Sequence, residues 1–288
     1  MHSLSSLQLD AFSAVARTLN FSQAARQLHL TQSALSQRVL NLERELGVTL
    51  FIRDRAGIRL TETGESLLRL CQSRMALEGE FLAHVKAGGD ASRLGGELRI
   101  GGFSSVMRSL VLPALAPLLR EHPAVRLEVI TRELRHLPES LRRGEIDFMI
   151  LDHRLERDGI EAHELGRERN VLVRPARGKA PEIYLDHDEE DEVTRNYLKQ
   201  AGRKTAALKR RFLDDVYGLI DGVAKGLGQA VLPRHLISGR KDLRVISPGT
   251  ELEIPILLHY YAQPYYSRLH SEAVKALRDE VPKLLRQG

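Results

Sequence analysis

The chain has 288 residues, 42% of them hydrophobic, and a formal net charge of +5. That is length for two or three domains, and enough apolar content for a real core, which excludes a globally disordered polymer. The basic balance permits a nucleic-acid partner, and the single cysteine, Cys71, excludes an intramolecular disulfide.

Positions 1–60 hold seven arginines against four acidic residues, so the first fifth of the chain carries more than half of the excess charge. No basic stretch leading into an apolar run stands at the start, and no apolar run is long enough to cross a bilayer. A cytoplasmic protein with no membrane partner is expected. The first helix should begin at Ser5 or Ser6 and end at Thr18 or Leu19, with Leu9, Phe12, Ala16 and Leu19 inward. A second short helix is expected over 20–28 with Ser22 as its N-cap, and the paired Ala24 and Ala25 allow a close helix crossing. A tight turn at His29, Leu30 and Thr31 leads into a third helix.

That third helix has Thr31 as N-cap, Leu30 and Leu35 at the spacing of a hydrophobic staple, and Gly47 as its stop. Leu35, Val39, Leu42 and Leu46 form its buried stripe. Ser33, Gln37, Leu40, Asn41 and Arg44 point the other way, and short amides, hydroxyls and a guanidinium suit base edges and phosphates. Two helices joined by a tight turn read as a helix-turn-helix whose second helix enters the major groove. The candidate DNA contacts on the helices are Ser22, Gln32, Ser33, Ser36, Gln37 and Arg38. Two apolar runs, 48–53 and 58–61, flank a turn at 54–57 and predict a hairpin wing, with Arg53 and Arg55 on phosphates.

From 62 to 86 the chain has no proline, and Leu68, Cys71, Met75, Glu78, Leu82 and Val85 follow a three-four spacing. That is the seam of a paired coiled coil, or else a helix packed on its own domain. Cys71 on the seam reads as a small core residue rather than a reactive thiol. The run 87–92 reads as a hinge.

Beyond it, strands and helices alternate. Strands are expected at 97–101, 125–130 and 147–151, separated by helices at 106–121 and 137–143, the first bent or divided by Pro113 and Pro117. This order implies a parallel sheet covered by helices. A second unit should have strands at 182–185 and 254–261, an extended stretch at 209–213, a turn and a strand within 226–233, and helices at 193–200, 216–225 and 267–285.

In such folds ligands sit at strand C-terminal ends. Gly102, Ser104 and Ser105 follow the first strand and Thr131 follows the second, giving hydroxyls and free N–H groups for a carboxylate. A serine that merely caps the helix is the structural alternative. Asp214 and Asp215 precede a helix of the second unit, Asp215 as its cap and Asp214 free to select an amine or guanidinium. The acidic run 186–192 lacks the rhythm of a calcium loop, and His153 and His163 have no partner at zinc spacing. No P-loop or nucleophile elbow occurs, and Gly226 and Gly228 precede a strand rather than follow one. No catalytic residue, metal or cofactor is therefore expected.

The sequence resembles the LysR-type transcriptional regulators. The resemblance rests on Phe21-Ser22-Gln23-Ala24-Ala25, Thr31-Gln32-Ser33-Ala34-Leu35-Ser36, Leu42-Glu43-Arg44-Glu45-Leu46-Gly47, Leu50-Phe51 and Leu60-Thr61-Glu62-Thr63-Gly64. Looser matches are 141–147 and 223–228. Ser33 stands where the family often has proline, Gln37-Arg38 reverses a common Arg-Gln order, and Leu40 replaces a frequent basic residue. These departures bear on base preference rather than fold.

The resemblance implies an α+β multidomain protein. A winged helix-turn-helix would span 1–61, and a linker and dimerisation helix with its hinge 62–92. A two-lobed α/β periplasmic-binding-protein-like effector domain would span 93–288, lobe I being 93–165 with 262–288 and lobe II 166–261. It implies a transcription regulator of double-stranded DNA, a homodimer or homotetramer modulated by a small-molecule effector such as an amino acid or carboxylate. The rivals are a DNA-binding regulator that senses nothing, and a solute-binding protein.

Overall fold

Three helices open the chain: α1 (Ser6–Thr18), α2 (Phe21–Gln27) and α3 (Gln32–Leu46). They belong to a computed structural model that describes residues 4–55, 57–86, 88–90, 92–246 and 249–287. Thr31 caps α3 by accepting from the Ala34 N–H at 3.2 Å, and Gly47 ends it at φ +67°. The cap of α2 is Asn20, which accepts from the Gln23 N–H at 2.9 Å, and not Ser22 as the sequence suggested. Asn20 has the extended backbone a cap needs, whereas Ser22 lies inside the first turn.

Leu9, Phe12, Ala16, Leu35, Val39 and Leu42 are buried together with Phe21, Ala24 and Ala25. The wing is β1 (Phe51–Asp54) paired antiparallel with β2 (Gly57–Leu60), Phe51 opposite Leu60. Its turn residue Ala56 lies outside the described residues, as do Ala87 and Ala91 of the expected hinge.

The linker helix α4 (Glu62–Lys86) starts against this core. A Cβ on Gly64 would stand 2.3 Å from the Leu50 carbonyl oxygen, so only glycine lets the first turn of α4 approach the wing. Leu67, Leu68 and Cys71 are buried in the N-terminal core. The start of the expected seam therefore packs on its own domain, and Leu68 is no interchain contact. Burial raises the Cys71 thiol pKa, which keeps it protonated and inert.

Beyond the linker, β3 (Gly96–Gly102) runs parallel to β4 (Val125–Thr131) and β5 (Phe148–Leu151), which is the expected βαβαβ arrangement. The helix after β3 comes in three pieces: α5 (Ser104–Val106), a π segment (Met107–Val111) and α6 (Leu112–Glu121). Pro113 has no N–H for a standard helical bond, so α6 restarts with Pro113 in its first turn. Pro117 is carried inside α6. A 3-10 turn and α7 (Leu137–Arg142) precede β5.

Two long antiparallel strands, β6 (Ile160–Pro175) and β11 (Leu252–Tyr261), run between the lobes. Lobe II adds β7 (Tyr184–Asp186), α8 (Val193–Gln200), β8 (Arg210–Phe212), α9 (Val216–Ala224), β9 (Ala230–Pro233), α10 (Arg234–Ile237) and β10 (Leu243–Val245). The main sheet runs β10-β6-β11-β5-β3-β4, with β9 also on β6. Leu257, Leu258 and His259 pair with β5, and the register shifts between Ile256 and Leu257. The lobes thus meet within β11 at that shift rather than after Tyr261. The last helix, α11 (Arg268–Gln287), closes the lobe I core through Leu269, Ala273, Leu277 and Val281. No helix among the described residues is long and apolar enough to cross a membrane.

Candidate DNA interface and effector cleft

The exposed face of α3 carries Gln32, Ser33, Gln37 and Asn41, while Ser36 and Arg38 are half-buried. The Ser22 hydroxyl, from α2, donates to Gln32 Oε1 at 2.9 Å. Gln37 Nε2 donates to Asn41 Oδ1 at 2.8 Å, one turn along. The bond fixes two amides together on one exposed helix face, leaving the Gln37 oxygen and the Asn41 amino group as an acceptor and a donor for base edges. Asn41, which the sequence placed on this exposed face, joins the candidate base contacts through this bond. Its one-turn spacing from Gln37 was the available signal. Glu43 accepts from the Leu50 N–H at 2.7 Å and so ties the wing to α3.

The wing arginines do different things. The Arg53 guanidinium lies 4.0 Å from the centroid of the Phe21 ring, and Arg59 pairs with Asp54 at 3.3 Å. Arg55 is exposed in the turn. Arg55→Ala is expected to lower affinity equally for operator and random DNA, and to reduce the slope of log affinity against log salt by about one. An unchanged slope would remove Arg55 from the phosphate contacts.

In the effector half, Gly102 ends β3, Ser104 and Ser105 open α5, and Thr131 ends β4. A Cβ on Gly102 would stand 2.6 Å from Met107 Sδ, so the glycine lets the helix fold back over the strand end. Ser104 is half-buried, Ser105 buried and Thr131 exposed. Across from them, Asp215 caps α9 by accepting from the Gly218 N–H at 3.0 Å. One oxygen of its carboxylate is thus taken by the helix backbone, in the capping role expected of it. The Asp214 side chain is 92% exposed, with His187 at 3.8 Å.

Among the described residues, side chains of the two lobes meet at several points. Arg108 lies over the Tyr217 ring at 4.2 Å, Ser109 Oγ is 3.0 Å from His235 Nε2, and Arg135 pairs with Glu190 at 3.2 Å. Beside Ser109 and His235, on β6, stands Glu168, 4% exposed. Its Oε1 is 3.5 Å from His235 Nε2 and has no hydrogen-bond partner among the described residues. Burial, followed by the nearby charge of Asp152, pushes the Glu168 carboxyl up to about 8. Burial likewise pushes His235 down to about 4. Both groups therefore favour their neutral forms, and the contact is not an ion pair at neutral pH. Sequence reasoning missed this group.

Among the described residues no group of three or more His, Cys, Asp or Glu could hold a metal ion. The acidic stretch after β7 is organised by Arg210 instead. Its guanidinium donates to the carbonyls of Asp188, Glu189 and Asp191 and pairs with buried Asp186.

A bacterial regulatory helix-turn-helix model of the lysR family matches residues 7–65, and a LysR substrate binding domain model matches residues 91–285. The chain belongs to the LysR family. It is a DNA-binding transcription regulator with an effector-binding domain, and its matched families are regulators rather than enzymes.

Among its LysR relatives is the probable regulator LrrA of Synechococcus elongatus, 33% identical over 239 residues, covering 79% of this chain and 80% of LrrA. ArgP of Escherichia coli is 28% identical over 300 residues, covering 97% of each chain. Full-length LysG of Corynebacterium glutamicum, solved with bound effector Arg, shares the fold with a TM-score of 0.72 at 20% identity, covering 97% of this chain and 99% of LysG. In LysR terms, the α3 amide edge and the wing belong to the first matched segment. The Ser104, Thr131 and Asp214 surroundings belong to the second.

Proposed function

We propose that this regulator is a cytoplasmic homodimer or homotetramer that binds a dyad operator, and that an amino acid or related carboxylate in the lobe cleft controls it. Gln32, Ser33, Ser36, Gln37 and Asn41 read bases, and Arg55 holds phosphate. The observation that carries this reading is the linked Gln37–Asn41 amide edge on the exposed face of a capped helix.

The route from cleft to DNA runs through α4. Glu65, with its side chain 12% exposed, takes Arg142 at 2.9 Å and Arg157 at 3.0 Å from lobe I. Ser73 donates to Gln263 at 2.6 Å. On the DNA side, Arg74 pairs with Asp10 of α1 at 2.7 Å. A change in lobe closure is thereby passed to the helix that carries the DNA-binding half, and the spacing of two reading helices follows. Ser104 offers a hydroxyl at a strand end for a carboxylate. The LysG structure with bound Arg supports an amino-acid effector in a domain of this fold.

Selection of bound fragments from genomic DNA with the purified protein tests the operator claim, with one enriched dyad motif as the expected result. Gln37→Ala should then weaken binding to that motif by about 1–3 kcal/mol and leave random DNA nearly unaffected. Equal losses on both would reject Gln37 as a base reader.

A further inference from the structure

We infer that Glu168 is the specificity-determining residue of the effector cleft and takes the cationic end group of a basic amino acid. The inference rests on the effector reading above and narrows it to one ligand class.

Glu168 lies two residues beyond Gly166 on β6, the strand that crosses between the lobes. Ser109 of lobe I and His235 of lobe II meet beside it at 3.0 Å. Its carboxyl therefore stands where the lobes join, within reach of any change in their closure. Yet its Oε1 is buried with no hydrogen-bond partner among the described residues. Buried polar atoms are almost always satisfied, so one left open at a lobe junction marks a place for a partner from outside.

The surroundings select the partner's charge. Asp152, past the end of β5, adds a negative charge close enough to act on Glu168. His235 is held neutral by burial and offers no cation. The neighbouring Arg234 is engaged by Glu251 at 2.6 Å. A buried carboxyl that can ionise on meeting a cation, with the Asp152 charge nearby, suits an ammonium or guanidinium and disfavours a dicarboxylate. A guanidinium also matches a carboxylate in shape, through two parallel N–H bonds.

Because the empty carboxyl favours its protonated form, binding proceeds as carboxyl plus cation giving carboxylate–cation pair plus one released proton.

Calorimetric titration of the full chain decides the matter, using L-arginine, L-lysine, glutarate and L-citrulline, which has the size of arginine without its charge. Wild type should prefer arginine to citrulline by at least about tenfold, the weight of one charged hydrogen-bonded pair. Glu168→Gln keeps the shape and the neutral state that burial favours, so the variant should fold. It should erase the preference while changing citrulline affinity less than about threefold. Arginine affinity should rise from pH 6 to 8.5 in wild type, as the released proton requires, and stay flat in Glu168→Gln. Asp214→Asn should leave the preference intact.

A preference for arginine that survives Glu168→Gln overturns the assignment, and its loss in Asp214→Asn would move the role to Asp214. Binding of glutarate or citrulline in preference to both basic amino acids overturns it too, while leaving the effector reading standing. Failure of all four probes to bind removes Glu168 as a cation site, and the operator selection remains the separate test of the regulator itself.

Discussion

Phe81→Asp is expected to break the assembly into monomers and to lower affinity for a dyad operator by about two to four orders of magnitude. Phe81 is 64% exposed on α4, and Leu70, Leu77, Leu82 and Val85 are exposed around it. An apolar strip of this size on a long helix is the kind of surface through which the proposed homo-oligomer would pair. A carboxylate placed there would lose its water without gaining a partner. Losing the partner chain also loses the second half-site, which is bound at high effective concentration once the first is held. Leu82→Asp should act the same way, and Met75 extends the strip. Leu68→Asp should instead unfold the DNA-binding half, because Leu68 is 3% exposed inside that core. Sedimentation separates the outcomes. A folded Phe81→Asp protein with the wild-type assembly mass would mean that the strip is covered some other way.

Arg210→Met is expected to destabilise lobe II by about 3–5 kcal/mol, because it strands a buried charge. Asp186 is 2% exposed and pairs with the Arg210 guanidinium, while Thr194 donates to the same carboxylate. Burial raises the Asp186 pKa, with the Arg210 charge and its hydrogen bond opposing. A raised folded value means that the favourable contribution is complete below the unfolded pKa of about 3.9 and is lost as pH climbs through the folded value. Removing Arg210 removes an opposing influence and raises that value further. The deficit of the variant should therefore be large at pH 8 and shrink toward pH 5. Adding Asp186→Asn to Arg210→Met should recover much of the loss. Urea midpoints of the effector-domain transition at the two pH values check this, and a deficit under about 1 kcal/mol at pH 8 would show that Asp186 finds another partner.

The DNA-binding half was legible in the sequence because its determinants are local. Thr31 and Gly47 bound α3, and the stripe of Leu35, Val39 and Leu42 fixes which side faces the core. Caps and helical periodicity act over a few residues, so they survive in a string of letters. The parallel strands β3, β4 and β5 were legible for the same reason. The sequence also determined that α4 is one long helix with an apolar seam.

Only the tertiary structure decided which face of α4 is free. Packing against α1 and the wing consumes Leu67, Leu68 and Cys71, and leaves Leu70, Leu77 and Phe81 outside. It alone decided β6 as well. Glu161, His163, Glu164, Arg167, Glu168 and Arg169 have the polarity of a surface loop, and no local pattern says that their backbone crosses between two lobes. Burial is a property of what lies on the far side of a residue. Glu168 is buried beside His235, 67 positions after it by number, which in turn meets Ser109, 59 positions before it. No spacing rule reaches across such separations, so the fold and the reading helix stand in the sequence, while the carboxyl at the lobe junction exists only in three dimensions.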